Sequence, residues 1–227
     1  YQFYHLPAKN YHQQRIWVDK DFPDLADLPL PHHAQLIFER IESLYDLNLP
    51  ILVLFTSKEL LLEVSENLSL QHLAQYKNGD ASNIKRRFDR GEAQILLGTG
   101  SFWEGTDFSS QDKMIQIITR LPFDNPQNVF TQKMNRRLRQ EGQNPFYDYS
   151  LPVAILRLKQ ALGRTVRHRK QQSAVLILDN RVYTKRYSRQ IRGVLSKTAP
   201  IEQSSFHQIR QDIGLYFKKK IVKKKNE

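Results

Sequence analysis

The sequence predicts an α/β fold over residues 1–227, with a mainly parallel sheet and helices on both faces. Three observations lead there. Short strand-like runs alternate with amphipathic helical stretches, and several of the runs are apolar throughout, as strands covered on both faces are. Neither an internal repeat nor a low-complexity linker divides the chain. Alternation of this kind implies βαβ units with right-handed crossovers, hence one open sheet in one domain.

The elements follow in order. A strand at Arg15–Val18 leads to a helix at His32–Leu47, and a second strand at Pro50–Phe55 to a helix at Lys58–Leu68. Gln71–Ala74 and Gln94–Gly98 are strands separated by a helix at Ala81–Arg90. Met114–Thr119 is a strand, followed by helices at Pro126–Glu141 and Ser150–His168. Pro122, Pro126, Pro145 and Pro152 punctuate that region, which reads as a loop and helix inserted between two core strands. Ala174–Leu178 is the last predicted strand, and helices at Val182–Ser196 and Gln203–Val222 close the pattern.

Composition narrows the class of protein. The longest strongly apolar run, Ile51–Phe55, is far short of the roughly 20 residues that span a bilayer, and no charged-then-apolar leader opens the chain, so a non-membrane, cytoplasmic setting is expected. There are no cysteines, which excludes a disulfide framework and any cysteine-ligated zinc or iron–sulfur cluster in this segment and suits a reducing compartment. The net charge is +12 with an isoelectric point near 9.8. A surplus of that size attracts polyanions, most often nucleic acid, with steep salt dependence. Lys218–Lys220 and Lys223–Lys225 supply part of it as a basic tail, but the body stays basic without them. The first residue is Tyr1 rather than methionine, as expected of a piece of a longer protein.

In an open parallel sheet, ligands sit beyond the carboxyl ends of the strands, so the residues that follow each strand carry the information. Thr56, Ser57 and Lys58 follow Pro50–Phe55. Either hydroxyl caps the next helix, and the same groups suit a nucleic-acid phosphate. After Gln94–Gly98 comes Gly98-Thr-Gly-Ser-Phe-Trp-Glu-Gly-Thr-Asp107, with three of the chain's nine glycines in eight positions. This is not a phosphate-gripping P-loop, since no Gly-Lys-Ser/Thr follows, and the spacing does not fit a dinucleotide fingerprint. Glu104 and Asp107 also allow a paired-carboxylate hydrolytic reading, and an ordinary glycine-rich turn over a buried Trp103 is the plain alternative.

Gln160–Arg167, QALGRTVR, is the sharpest stretch. On a helix over Ser150–His168, Ile155, Leu158, Leu162 and Val166 form an apolar stripe, and Gln160, Gly163, Arg164 and Arg167 lie nearly opposite. A solvated face is the usual meaning of such a stripe. Against it, a mid-helix glycine costs roughly 1 kcal/mol relative to alanine, and neither arginine has an acid one turn away to pair with. Two unpaired arginines beside a small residue suit a polyphosphate.

LVLFTS (Leu52–Ser57), GSFWEGTD (Gly100–Asp107), TRLPF (Thr119–Phe123) and QALGRTVR together resemble motifs IV, V and VI of the DinG/XPD-like branch of superfamily-two helicases, over almost the whole chain. The resemblance implies a second RecA-like domain of the P-loop-NTPase type in an ATP-dependent DNA helicase of repair or replication-fork maintenance. It implies that Arg164 and Arg167 act as arginine fingers on ATP held, with Mg²⁺, mainly by a first RecA-like domain of the same polypeptide. Gln160 and Gly163 would position them or the nucleotide. Glu104, Gly105 and Asp107 match positions that couple nucleotide to finger. Thr56, Ser57, Lys58, Gln75 and Thr99 match positions that hold single-stranded DNA, while Trp103 either stacks on a base or packs inside, with packing favoured. The family's Gly-Lys-Thr loop and DEAH-type motif do not occur in this sequence, so the chain alone is expected to be inactive. The rival reading, a nucleic-acid-binding module without motor function, fits the charge equally well. An independent hydrolase built on Glu104 and Asp107 would need no partner domain.

Overall fold

The computed structural model describes residues 13–25, 28–168 and 170–218. In chain order its elements are β1 (Gln14–Asp19), α1 (Leu30–Tyr45), β2 (Ile51–Leu54), α2 (Lys58–Asn67), β3 (His72–Ala74), α3 (Ala81–Asp89), β4 (Ile95–Gly98), α4 (Ser101–Glu104), β5 (Lys113–Ile118), α5 (Val129–Gln140), α6 (Leu151–Gly163), β6 (Gln172–Ile177), α7 (Arg181–Thr184), α8 (Ser188–Leu195), β7 (Ile201–Ser204) and α9 (Phe206–Lys218). One turn of π-helix, Phe146–Ser150, leads into α6. The described strands form one seven-stranded sheet in the order β3-β4-β2-β5-β6-β1-β7, and every pairing in it is parallel.

Side-chain alternation along the strands builds two cores. Ile16, Val18, Leu52 and Leu54 point to one face, against Ile84 and Phe88 of α3, Leu158 and Leu162 of α6 and Ile191 of α8. Trp17, Ile51, Val53 and Phe55 point to the other, against Ile37 and Ile41 of α1, Leu61 and Val64 of α2 and Ile209 of α9. With both faces covered, the central strands have no polar side to show, which explains their unbroken apolar runs. The buried positions of α1, Ala34, Ile37, Ile41 and Leu44, keep helical spacing. Ser57, Asp80 and Asn128 cap α2, α3 and α5 by accepting from Leu60 N (3.2 Å), Asn83 N (2.8 Å) and Phe130 N (2.9 Å). Caps of this type contribute about 1 kcal/mol each.

Three details differ from the sequence expectation. β7 was not anticipated: it lies at the sheet edge and is only half covered, so it lacks an apolar run. Its last two residues belong to what the sequence suggests is the final helix, which instead begins at Phe206. The helix expected at Val182–Ser196 is two short ones, interrupted where Lys185 is extended (φ −94°, ψ 158°) and the Tyr187 ring joins Phe123 and Phe146 at 5.7 and 5.1 Å. The predicted end of the last helix, the basic residues from Lys219 onward and Tyr1 lie outside the described residues. Among the described residues, no helix is long and apolar enough to cross a membrane.

The sheet order also marks a ligand position. β2 and β5 are neighbours, yet the chain leaves β2 toward β3 on one side and leaves β5 toward β6 on the other. The next helices, α2 and α6, pack on opposite faces. Diverging crossovers open a crevice at the carboxyl ends of β2 and β5, the topological switch point of an open sheet.

Candidate functional site

Two clusters at the carboxyl edge are joined by the glycine-rich loop. The loop leaves β4 at Gly98, where a Cβ would sit 2.3 Å from the Phe102 ring, so no larger residue fits without displacing that buried side chain. Gly100 then turns with φ +41°, a conformation that favours glycine, and α4 follows at once.

The first cluster gathers Thr56, Ser57, Lys58, Gln75 and Thr99. Gln75 Oε1 accepts from Thr99 N at 2.8 Å and from its hydroxyl at 3.2 Å. Tyr76 joins them: its hydroxyl bonds Thr99 Oγ1 at 2.8 Å, and Lys58 Nζ lies 5.0 Å from its ring centroid. Tyr76 is 51% exposed at φ +74°. An aromatic residue held there is unusual, and no spacing rule in the sequence marks it. Ser57 Oγ is engaged as the α2 cap, while Thr56 and Lys58 are exposed. Trp103 is 4% exposed and donates its indole N–H to Phe55 O at 2.7 Å, so it packs beneath the loop.

The second cluster gathers Glu104, Gly105, Asp107, Arg164 and Arg167, and it corrects the helical-stripe expectation. α6 ends at Gly163, with Arg164 in the cap position and Arg167 in the irregular segment beyond. Thr165 and Gln14 account for the ending. Gln14 Nε2 donates to Leu162 O at 3.0 Å and to Thr165 Oγ1 at 3.1 Å, and the Thr165 hydroxyl also bonds Ser173 Oγ at 2.8 Å. This buried network occupies a carbonyl the next helical turn would need. Gly163 therefore carries no mid-helix penalty; a Cβ there would meet nothing within 4 Å. Val166 likewise lies beyond the helix. Nor are the arginines without acidic surroundings. The Arg164 guanidinium donates to Glu104 O, and Arg167 Nε lies 3.9 Å from Asp107 Oδ1. Gln160, one turn before Arg164, is exposed.

Two residues not singled out from the sequence hold this arrangement. Buried Gln171 accepts from Arg167 N (2.6 Å) and donates to Phe108 O (3.1 Å) and Gln111 O (3.0 Å), lashing the arginine segment to the glycine-rich loop. Arg157 bridges Glu104 (3.2 Å), Asp124 (2.5 Å) and Pro122 O (3.2 Å). Burial alone would depress its pKa, but the two carboxylates outweigh that and raise it. Among the described residues no group of three His, Asp or Glu side chains is placed to hold a metal ion. Mg²⁺ does not fit this set, and no step below passes through it.

Beside these clusters a cleft of about 820 Å³ occupies the switch point, reached by Thr56, Ser57, Arg120, Asn135, Arg139 and Tyr187. Beneath it lies His33, with Nε2 buried and lacking a hydrogen-bond partner and its ring edge-to-face on Phe22 at 5.9 Å. Burial, then the positive charge of Arg120, push its pKa down to about 4 against the opposing pull of Asp179. Between an unfolded value near 6.5 and about 4, the unfolded chain takes up a proton that the folded one refuses, so stability falls with acidification in that window. The slope this group adds approaches about 1.4 kcal/mol per pH unit. Urea melts of His33→Phe should lose this slope between pH 6.5 and 4; an unaltered slope would place the acid sensitivity elsewhere.

A parallel sheet with helices on both faces, a glycine-rich loop clasped by two arginines, and a second cluster of hydroxyls, lysine and amide at the same edge define a motor-type α/β domain. The helicase C-terminal domain family matches residues 42–198, and the chain belongs to that family. Over 201 residues it is 32% identical to the 3'-5' exonuclease DinG of Bacillus subtilis (strain 168), covering 85% of this chain and 22% of that protein. It is 28% identical over 195 residues to the ATP-dependent DNA helicase YoaA of Haemophilus influenzae, covering 80% of this chain and 30% of that protein. A solved XPD helicase superposes with a TM-score of 0.62 at 15% identity, over 84% of this chain and 35% of its own, confirming the RecA-like fold. The chain thus spans less than a third of either curated relative.

Proposed function

We propose that this chain is the second motor domain of an ATP-dependent DNA helicase, one that completes an ATP site held mainly by a first RecA-like domain of the same polypeptide. The observation that carries the reading is the loop Gly98–Asp107. Its first residues bind Gln75 and Tyr76, and its last ones lie against Arg164 and Arg167. One short segment therefore touches both the cluster suited to a DNA backbone and the cluster suited to a polyphosphate. On this reading Arg164 and Arg167 stabilise charge developing on the transferred phosphoryl group. Glu104, Gly105 and Asp107 hold the fingers in register, and open space at Gly163 leaves room for the nucleotide beside Gln160. Thr56, Lys58, Gln75 and Thr99 grip single-stranded DNA, with Ser57 fixing the helix start and Trp103 the loop. The setting would be cytoplasmic, in repair or replication-fork maintenance.

The test compares the 227-residue chain with the same polypeptide carrying the first motor domain. The chain alone should show no ATP turnover above background in a coupled assay with or without single-stranded DNA, and the two-domain protein should turn over ATP in a DNA-stimulated manner. Robust turnover by the isolated chain would refute the domain assignment and favour an independent hydrolase.

A further inference from the structure

The switch-point cleft contains a charge the fold leaves uncompensated. Arg120 follows β5, and among the described residues neither a hydrogen bond nor an ion pair holds its guanidinium. The acid acting on it is Asp179, whose oxygens are already engaged by Arg181 (2.8 and 2.6 Å) and by Leu121 N (2.8 Å). Burial, then the like charge of Arg181, push the Arg120 pKa below the usual arginine range. A half-buried guanidinium with no anion of its own is costly, and an anion arriving in the cleft relieves that cost.

The rest of the cleft has the chemistry of one nucleotide. Thr56 and Ser57 border it on the β2 side and Arg139 on the α5 side. Asn135 on α5 also lines it, with a buried Oδ1 that has no hydrogen-bond partner. The far wall is aromatic: Phe123 and Phe146 stack at 5.7 Å, and Tyr187 meets Phe146 at 5.1 Å. Cation, hydroxyls, an unsatisfied amide and an aromatic wall suit, respectively, a phosphate, its ester oxygens, a base edge and a base face.

We propose that this cleft binds one nucleotide unit of single-stranded DNA, its phosphate on Arg120 and Arg139 and its base toward Phe123, Phe146 and Tyr187. The proposal rests on the reading of Thr56–Lys58 as part of the DNA track, which it extends across the sheet edge from the β2 end to the β5 end.

The experiment measures fluorescence anisotropy of a labelled oligo-dT with the 227-residue chain across a salt series, followed by photocrosslinking of an iodouracil-substituted oligo-dT. Arg120→Met and Arg139→Met should each weaken binding about tenfold and reduce the salt slope by roughly 0.7. Arg90→Met, an equal change of charge at the opposite edge of the sheet, should leave the salt slope nearly unchanged. The crosslink should map to Phe123, Phe146 or Tyr187, and free dTMP should compete only at far higher concentration than the oligonucleotide. Arg139 is exposed, so its variant decides the matter even if Arg120→Met fails to fold. If Lys58→Ala weakens binding while both arginine variants bind normally and no crosslink reaches the cleft, the cleft proposal falls and the track reading stands. If none of the three variants alters binding, both fall. Competition by dTMP on a par with the oligonucleotide would make the cleft a free-nucleotide site and overturn the strand assignment.

Discussion

Arg164→Ala, introduced into the protein carrying both motor domains, is expected to lower ATP turnover by about 10³-fold or more while leaving affinity for single-stranded DNA largely intact. A thousandfold loss corresponds to roughly 4 kcal/mol of transition-state stabilisation, the scale of a guanidinium placed on a transferring phosphoryl group. Arg164 is fixed at both ends, since its carbonyl accepts from Phe108 N at 3.3 Å and its guanidinium donates to Glu104 O. The second contact engages a neutral backbone oxygen, so the positive charge is not cancelled and remains available to a phosphate. Arg164→Lys should recover little, because an ammonium lacks the planar fork that can hold a carbonyl and a phosphate together. Loss of the Glu104 contact might by itself loosen the loop, and Trp103 reports on that: its indole sits under the same loop on Phe55 O. Unchanged tryptophan emission together with collapsed turnover assigns the loss to the reacting phosphate. Normal turnover with weakened DNA binding would show that Arg164 is no finger and would favour the binding-module reading.

The sequence displays the fold well because its evidence there is local. Ile51–Leu54 and Ile95–Gly98 are buried throughout, so their composition alone reveals strands covered on both faces. β7 escapes because an edge strand with half-exposed residues leaves no such trace. At the site, the order of the motifs is readable but the contacts that set their geometry are not. The end of α6 depends on Gln14 reaching Leu162 O and Thr165, a pairing that exists only after β1 docks beside β6. Arg167 lacks an acid within a helical turn yet meets Asp107 from a different loop. Gln171, Arg157, Tyr76 and Arg120 act through partners distant in sequence or through the absence of one, and neither leaves a periodic signal.

The largest expected loss of stability comes from Asp179→Ala. The carboxylate is 0% exposed and collects Leu121 N at 2.8 Å, Arg181 N at 3.1 Å and the Arg181 guanidinium at 2.8 and 2.6 Å. Removing one partner of such a pair leaves a partly buried charge uncompensated and destabilises by about 3–5 kcal/mol. Arg181 holds its proton more firmly than an ordinary arginine, since burial, which would weaken that hold, is outweighed by the bond to Asp179. It therefore stays charged and bears the cost once Asp179 is gone. Arg120 adds to it, because the two cations would then face each other without the acid that moderates them. Urea unfolding of the 227-residue chain should record the loss, and the double variant Asp179→Leu, Arg181→Leu should recover part of it by removing the orphaned charge along with its partner. A cost below about 1 kcal/mol for Asp179→Ala would mean that water replaces the carboxylate freely, contrary to its burial. The same change should reach the site, because Asp179 anchors the Leu121 amide and Arg157 grips the adjacent Pro122 carbonyl while bonding Glu104. Loosening the β5 end thus slackens one wall of the cleft and one support of the loop beneath the arginines, so DNA affinity and ATP turnover should fall together rather than separately.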